Sequence, residues 1–219
     1  MLKIWGRENS SNVRKALWAA EEAGVAYEAI DAGGAFGLVN DPEYRAKNPN
    51  GLVPLVEDGE LVLWESNAIV RYLAARYAAG DLYPEDPALR ARGDKWMDWT
   101  TSAFAPVFRD LFWGTLRTPP AERDPARIAA ALARCGELLA MPERALAEQP
   151  FLSGERFALA EQPFLSGERF AMGDIPLGSF IYAWFEMPIQ RPELPALKAW
   201  YGRLKERPAY RKAVMTALT

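Results

Sequence analysis

Over the first eighty residues, short apolar runs alternate with helical patterning and then give way to a hairpin, an order that few folds accept. "LKIWG" reads as a strand. "SNVRKALWAAEEAG" carries Val13, Leu17, Trp18 and Ala20 at helical intervals and stops on Gly24. "VAYEAIDA" is a second strand, followed by a glycine-rich connection and by "PEYRAKNPNG", which reads as an irregular turn region. "LVPLVEDGELVLWE" holds two apolar runs joined through Asp58-Gly59, a hairpin signal, and "SNAIVRYLAARYA" closes the unit as a helix. The order βαβ, ββ, α predicts a small mixed sheet with helices packed on it.

After Pro84 the pattern changes. From "PEDPALRARGDKWMDWTTSAFAPVFRDLFW" onward it is helical almost throughout, with Pro119, Pro120 and Pro125 punctuating the approach to a helix from about 127 to 141. Pro142 is expected to kink or end that helix. The chain is therefore divided into an α/β domain over 1–80, a linker over 81–87 and an all-α domain over 88–219.

Composition narrows the chemistry. The 219 residues are 50% hydrophobic, enough for a substantial core, and contain no histidine and one cysteine. That excludes Ser-His-Asp and Cys-His catalysis, Cys/His zinc sites and CxxC redox chemistry; no metal is expected. Cys135, at helical spacing within "RIAAALARCGELLAM", reads as a small buried apolar residue. A net charge of −3 without a basic run argues against nucleic acid. The sequence has no run of eighteen apolar residues and no secretory leader pattern, so the expectation is a cytoplasmic protein with no membrane span.

"SSNVRKALW", "NPNGLVPLVEDG" and "LWESNAIVRYLA", in that order and spacing and followed by a helical half containing "RFAMGDIPLG", resemble the cytosolic glutathione S-transferases, in particular the serine-using, theta/phi-like bacterial members. The resemblance spans nearly the whole chain. It implies a thioredoxin-like N-terminal domain joined to an all-α C-terminal domain, a homodimer, and glutathione as co-substrate with a hydrophobic electrophile. Dehalogenation, isomerisation and peroxide reduction share the same thiolate, and a non-catalytic binding protein could share the fold.

Each motif then has a physical task. Ser66 opens the last helix of the first domain, where its hydroxyl and the free N–H groups suit the γ-glutamyl carboxylate, and Glu65 can pair with the glutamyl amine. The resemblance implies a cis bond at Pro54, with the Val53 backbone pairing to the cysteinyl part of glutathione in strand-like fashion. Lys47, Asn48 and Asn50 lie just ahead of this clamp. Lys47 is either a partner of the glycyl carboxylate or a solvated loop charge. Ser10 takes the position at which the serine-using classes stabilise the thiolate, with Ser11 and Asn12 as alternates; the hydroxyl donates to sulfur, and the helix N-terminus adds partial positive charge. Trp96, Trp99, Phe104, Phe108 and Phe112 recur at helical intervals. Such a stripe is usually core, although Trp99, Phe104 and Phe108 are the candidates for an electrophile pocket.

Two features depart from the family pattern. Ala171 stands where a Ser or Thr ordinarily forms a capping box with Asp174, so the helix beyond it should start about 1 kcal/mol weaker. The thirteen residues of 145–157 recur without a substitution in 158–170. Removing one copy from 219 residues leaves 206, a common length for the family, and the remaining sequence reads straight through. Solenoid repeats diverge and need at least about three copies. The repeat is therefore read as a tandem duplication that the helical domain tolerates. The second copy is expected to seat Phe164, Leu165 and Phe170 on the buried helix. The first is expected to extend the preceding helix for a turn or two or to be extruded over about 148–159, with Pro150 and Gly154 opposing a continuous helix.

Overall fold

Strands of four residues, each too short to stand alone, form a single mixed sheet in the computed structural model, which describes residues 1–147 and 169–218. β1 (Leu2–Trp5), β2 (Tyr27–Ile30), β3 (Leu55–Asp58) and β4 (Leu61–Trp64) are ordered β2-β1-β3-β4. β1 runs parallel to β2, whereas β3 is antiparallel to both β1 and β4. A parallel pair needs a crossover, which α1 (Ser11–Glu22) supplies. The antiparallel pair β3–β4 needs only a tight turn, and Gly59 provides it at φ +62°. This is the mixed sheet that the resemblance implies for a thioredoxin-like domain.

Alternation in β1 buries Leu2 and Ile4. α1 packs on α3 (Ser66–Tyr77), joining buried Val13, Ala16, Leu17 and Ala20 to Ile69, Val70, Leu73 and Ala74. Each large aliphatic side chain buried in this way contributes about 1.5–3 kcal/mol. A further cluster joins Ala32, Tyr44 and Leu55 to Trp5, Val39 and Val53. Tyr44 comes from α2 (Pro42–Lys47), a six-residue helix where the sequence reading expected an irregular turn. Six residues are too few to display a helical period, and Tyr44 anchors the helix by packing and by donating its hydroxyl to the Leu52 carbonyl at 2.6 Å.

The chain divides into two units. The first joins Met1–Glu85 to a returning segment, Arg207–Ala217, and the second is built from Asp86–Glu206. The sequence reading placed everything beyond 88 in the helical domain; the returning segment is the difference. It is held in the first unit by α9 (Pro208–Ala213), where Tyr210 meets Trp18 edge-on at 4.7 Å, and by the paired donors of Arg207 on Glu22 at 2.7 and 2.6 Å. Neither partner is readable from periodicity, because each pair spans almost the whole chain.

In the second unit, Asp86 caps α4 (Pro87–Trp99), accepting from the N–H groups of Ala88 and Leu89, with Pro87 in the first turn. Helical chain continues through Arg117, with α5 (Ala105–Phe112) between two π-type turns. α6 (Pro125–Ala147) does not end at Met141: it runs through Pro142 for another turn. The extra turn is held by tertiary partners. Pro142 and Leu146 are buried, and the Glu143 carboxylate accepts from Ala196 and Leu197 at the start of α8 (Pro195–Glu206). Cys135 is fully buried in α6, and burial pushes its thiol up to about 12, as expected of a packing residue. No helix among the described residues is long and apolar enough to cross a membrane.

The first three residues of the duplication form the end of α6, and Phe170 at its far end is buried. The expected seating of Phe164 and Leu165 and the extrusion of 148–159 lie outside the described residues. Because 158–170 repeats 145–157 letter for letter, deleting 145–157 restores the same sequence after Arg144. That deletion is expected to keep the fold, with a thermal midpoint equal to or above that of the full chain, as circular dichroism melts would show. A variant that fails to fold would mean the repeat has become structural.

Candidate functional site

The connection from β1 to α1 sets the first part of the site. Gly6, at φ +151°, approaches the helix so closely that a Cβ there would stand 2.4 Å from Val13 Cγ2. Four residues later Ser10 occupies the N-cap of α1 with extended backbone (φ −89°, ψ 122°); its N–H donates to the Arg7 carbonyl, and its carbonyl accepts from the Arg14 N–H. A serine at this position ordinarily turns its hydroxyl onto the next N–H groups of the helix. Ser10 makes no such side-chain bond, and the first turn of α1 holds no acidic residue. The half-buried hydroxyl is thus left at the positive end of a helix, an environment that favours an anion.

Arg14, 2% exposed, braces this loop from behind. It donates from Nε to the Glu8 carbonyl at 3.0 Å and from Nη2 to Thr216 Oγ1 at 2.7 Å. Of the alternates to Ser10, Ser11 is the first residue of the helix, and the side-chain oxygen of Asn12 is engaged by Ser66.

α3 contributes the second part. Ser66 opens this helix and is 7% exposed; Glu65 precedes it, exposed, at φ +73°. Left-handed backbone at a non-glycine residue costs on the order of 1–3 kcal/mol and is retained where the geometry is needed. Ser66 Oγ donates to Asn12 Oδ1 at 3.2 Å and accepts from Lys15 Nζ at 3.3 Å, so the first turns of α1 and α3 meet at this serine.

The third part is the loop ahead of β3. The Val53–Pro54 peptide is cis, as the resemblance implies. The sheet ladder begins at Leu55, so Val53 lies outside it. Asn48, 2% exposed, ties the loop together: its Nδ2 donates to the Leu52 carbonyl at 2.8 Å, and its Oδ1 accepts from the Asn50 N–H at 3.1 Å. Asn50 itself is exposed. Lys47 is paired with Glu57 at 2.9 Å and lies over the Trp5 ring. Burial opposes ionisation of Glu57, but hydrogen bonds from Lys47 and Trp5 outweigh it and hold the carboxyl below its usual range.

Arg7 was not singled out in the sequence. Its half-buried side chain lies along the glycine-rich loop, so that a Cβ on Gly34 would meet its Cδ at 3.1 Å, and it enters no ion pair among the described residues. The signal was present in three glycines at 33, 34 and 37, a backbone that leaves room for a long side chain.

The aromatic stripe resolves in favour of packing. Phe104 and Phe108 have no exposure; they stack on one another at 5.4 Å and meet Phe180 of α7 (Ile175–Glu186) edge-on at 6.0 and 5.5 Å. They are core residues of the second unit and offer no face to a ligand, which corrects their place among the candidates for the electrophile pocket. Trp99 stays half-buried at the end of the stack, 6.0 Å from Phe104.

Comparison with known proteins gives the same family from sequence and from structure. Residues 1–75 match the family model "Glutathione S-transferase, N-terminal domain". The chain is 45% identical to glutathione S-transferase GstB of Escherichia coli, covering 98% of both sequences, and 31% identical to glutathione S-transferase F14 of Arabidopsis thaliana over 97% of this chain and 80% of that one. A theta class glutathione S-transferase from Xanthomonas axonopodis pv. citri, solved with glutathione bound, superposes with a TM-score of 0.91 at 70% identity, covering 100% of this chain and 99% of that one. With a mixed sheet, a serine at the uncapped start of α1 and relatives that match from end to end, the chain belongs to the glutathione S-transferase family.

Proposed function

We propose that this glutathione transferase holds glutathione between the starts of α1 and α3 and the loop ahead of β3, and that Ser10 activates its thiol for attack on hydrophobic electrophiles. The observation that carries this reading is the Ser10 hydroxyl, placed at a helix N-terminus yet free of any capping bond. With no histidine in the chain, no general base of that type is at hand. The thiol proton leaves to solvent, and the hydroxyl donates a hydrogen bond to the thiolate that remains. Stabilising the anion in this way lowers the thiol below the roughly 8.5 of an ordinary cysteine.

Ser66 and the backbone N–H groups at the start of α3 receive the γ-glutamyl carboxylate, Glu65 the glutamyl amine, and the Val53 backbone the cysteinyl amide. The glycyl carboxylate goes to a cation ahead of the clamp. Lys47 reaches it only by leaving Glu57, whereas Arg7 has no such engagement, and Asn50 lies exposed on the same loop. Of the candidates Trp99, Phe104 and Phe108, Trp99 is the one that keeps exposed surface for an electrophile. A homodimer is part of this reading; exposed Leu61, Val62 and Trp64 on edge strand β4 support it.

Ser66→Ala is expected to weaken glutathione affinity by about 1–3 kcal/mol, the scale of a charge-assisted hydrogen bond, with kcat at saturation little changed. Titration calorimetry reads this directly. Unchanged affinity would place the γ-glutamyl site elsewhere.

A further inference from the structure

Lys15 is 1% exposed on α1, three residues beyond Asn12, and both side chains reach Ser66. A buried ammonium in the packed interface of two helices is costly, and an aliphatic residue of similar length would pack there without that cost. What the ammonium does instead is fix Ser66. Because Ser66 Oγ accepts from Lys15 Nζ, its hydrogen must point away from Lys15, towards Asn12 here and towards a carboxylate when one is bound. It also adds a full positive charge behind a helix N-terminus whose own dipole supplies only about half of one.

We propose that Lys15 is a positioning residue for glutathione: its buried ammonium orients Ser66 and provides the positive charge behind the γ-glutamyl carboxylate subsite. The inference rests on the assignment of Glu65 and Ser66 to that carboxylate and amine.

A dependence on pH follows. Burial pushes Lys15 down to about 7, and Glu65, at the start of α3, pulls the other way. The neighbouring charges on α1 are directed elsewhere: Arg14 to Glu8 and Thr216, Glu22 to Arg207, and Glu21 to Lys212 of α9. A lysine lowered in this way is partly neutral in the free enzyme near neutrality. A bound carboxylate favours the charged form, so binding takes up a proton, and affinity falls as pH rises through about 7.

The test uses S-methylglutathione, which has no thiol to titrate, with calorimetry in two buffers of different ionisation enthalpy at neutral pH. For the wild-type protein, net proton uptake is expected, with affinity falling between about pH 6 and about pH 8. Lys15→Met is expected to bind about tenfold more weakly below pH 7, with no proton uptake, while its thermal midpoint stays equal or rises because a buried charge is gone. A purely structural lysine would give a lower midpoint and unaltered proton uptake. Lys15→Arg, charged at every accessible pH, covers the case in which the Met variant does not fold: it is expected to bind with no pH dependence over the same range. Wild-type affinity and proton uptake in Lys15→Met, or an unchanged pH dependence in Lys15→Arg, would overturn the proposal. Ser66→Ala separates the two levels. If it weakens binding while Lys15→Met does not, Lys15 alone is excluded; if neither does, the carboxylate assignment itself fails.

Discussion

Replacing Ser10 with alanine is expected to lower kcat for glutathione conjugation by about tenfold or more near neutral pH while leaving glutathione affinity within a few-fold. The asymmetry follows from where the hydroxyl sits. In the proposed site it faces the sulfur at the start of α1, while the peptide's carboxylates, amine and amide are assigned to α3, Glu65, Val53 and the loop cation. Without the donor the thiol returns towards its ordinary value, and each pH unit of that return cuts the thiolate available for attack about tenfold near neutrality. Ser11→Ala, at the first position of the helix, is expected to change kcat far less. Steady-state kinetics at saturating glutathione separates the two, and equal rates for wild type and Ser10→Ala would remove Ser10 from the chemistry.

The largest stability loss is expected at Asp174. It has no exposure, and its carboxylate accepts from the Ala171 N–H at 3.2 Å and from Trp200 Nε1 at 3.2 Å, while its own N–H donates to the Ala171 carbonyl. Alanine at 171 removes the side-chain half of the usual capping box, so Asp174 carries the turn into α7 and also joins it to Trp200, a fully buried residue of α8. Asp174→Ala leaves two buried N–H donors without acceptors. The expected cost is about 2–4 kcal/mol in urea unfolding of the full chain. A loss below about 1 kcal/mol would mean that water or backbone replaces the carboxylate at little cost.

The positions that sequence reading placed well are those fixed by local chemistry. The Asp58-Gly59 hairpin, the helix that Gly24 stops, the proline before β3 and the serine that opens α3 each follow from neighbours within a few residues, and the structure has all of them. Ser10 was legible as a position, but not its most informative property, the absence of a capping bond, because hydroxyl partners depend on rotamer and surroundings. What sequence could not supply came from distant partners. Pro142 stops a helix in isolation, yet Glu143 is held by α8, more than fifty residues on. α9 joins the first unit through Trp18 and Glu22. Phe104 and Phe108 share their period with any amphipathic helix, and only Phe180 packed against them decides that they are core. Lys15 reads as an ordinary charged residue on α1; its burial beneath Ser66 exists only once α3 is in place.

Stabilisation of the thiolate of bound glutathione by the Ser10 hydroxyl and the start of α1 is the proposal on which the activity depends. Its most direct test is the ultraviolet absorbance of the thiolate in the binary complex, followed as a function of pH in the wild type and in Ser10→Ala. A wild-type midpoint at least about one pH unit below the roughly 8.5 of an ordinary thiol is expected, with a return most of the way to that value in the variant. Coincident midpoints in the two proteins would contradict it.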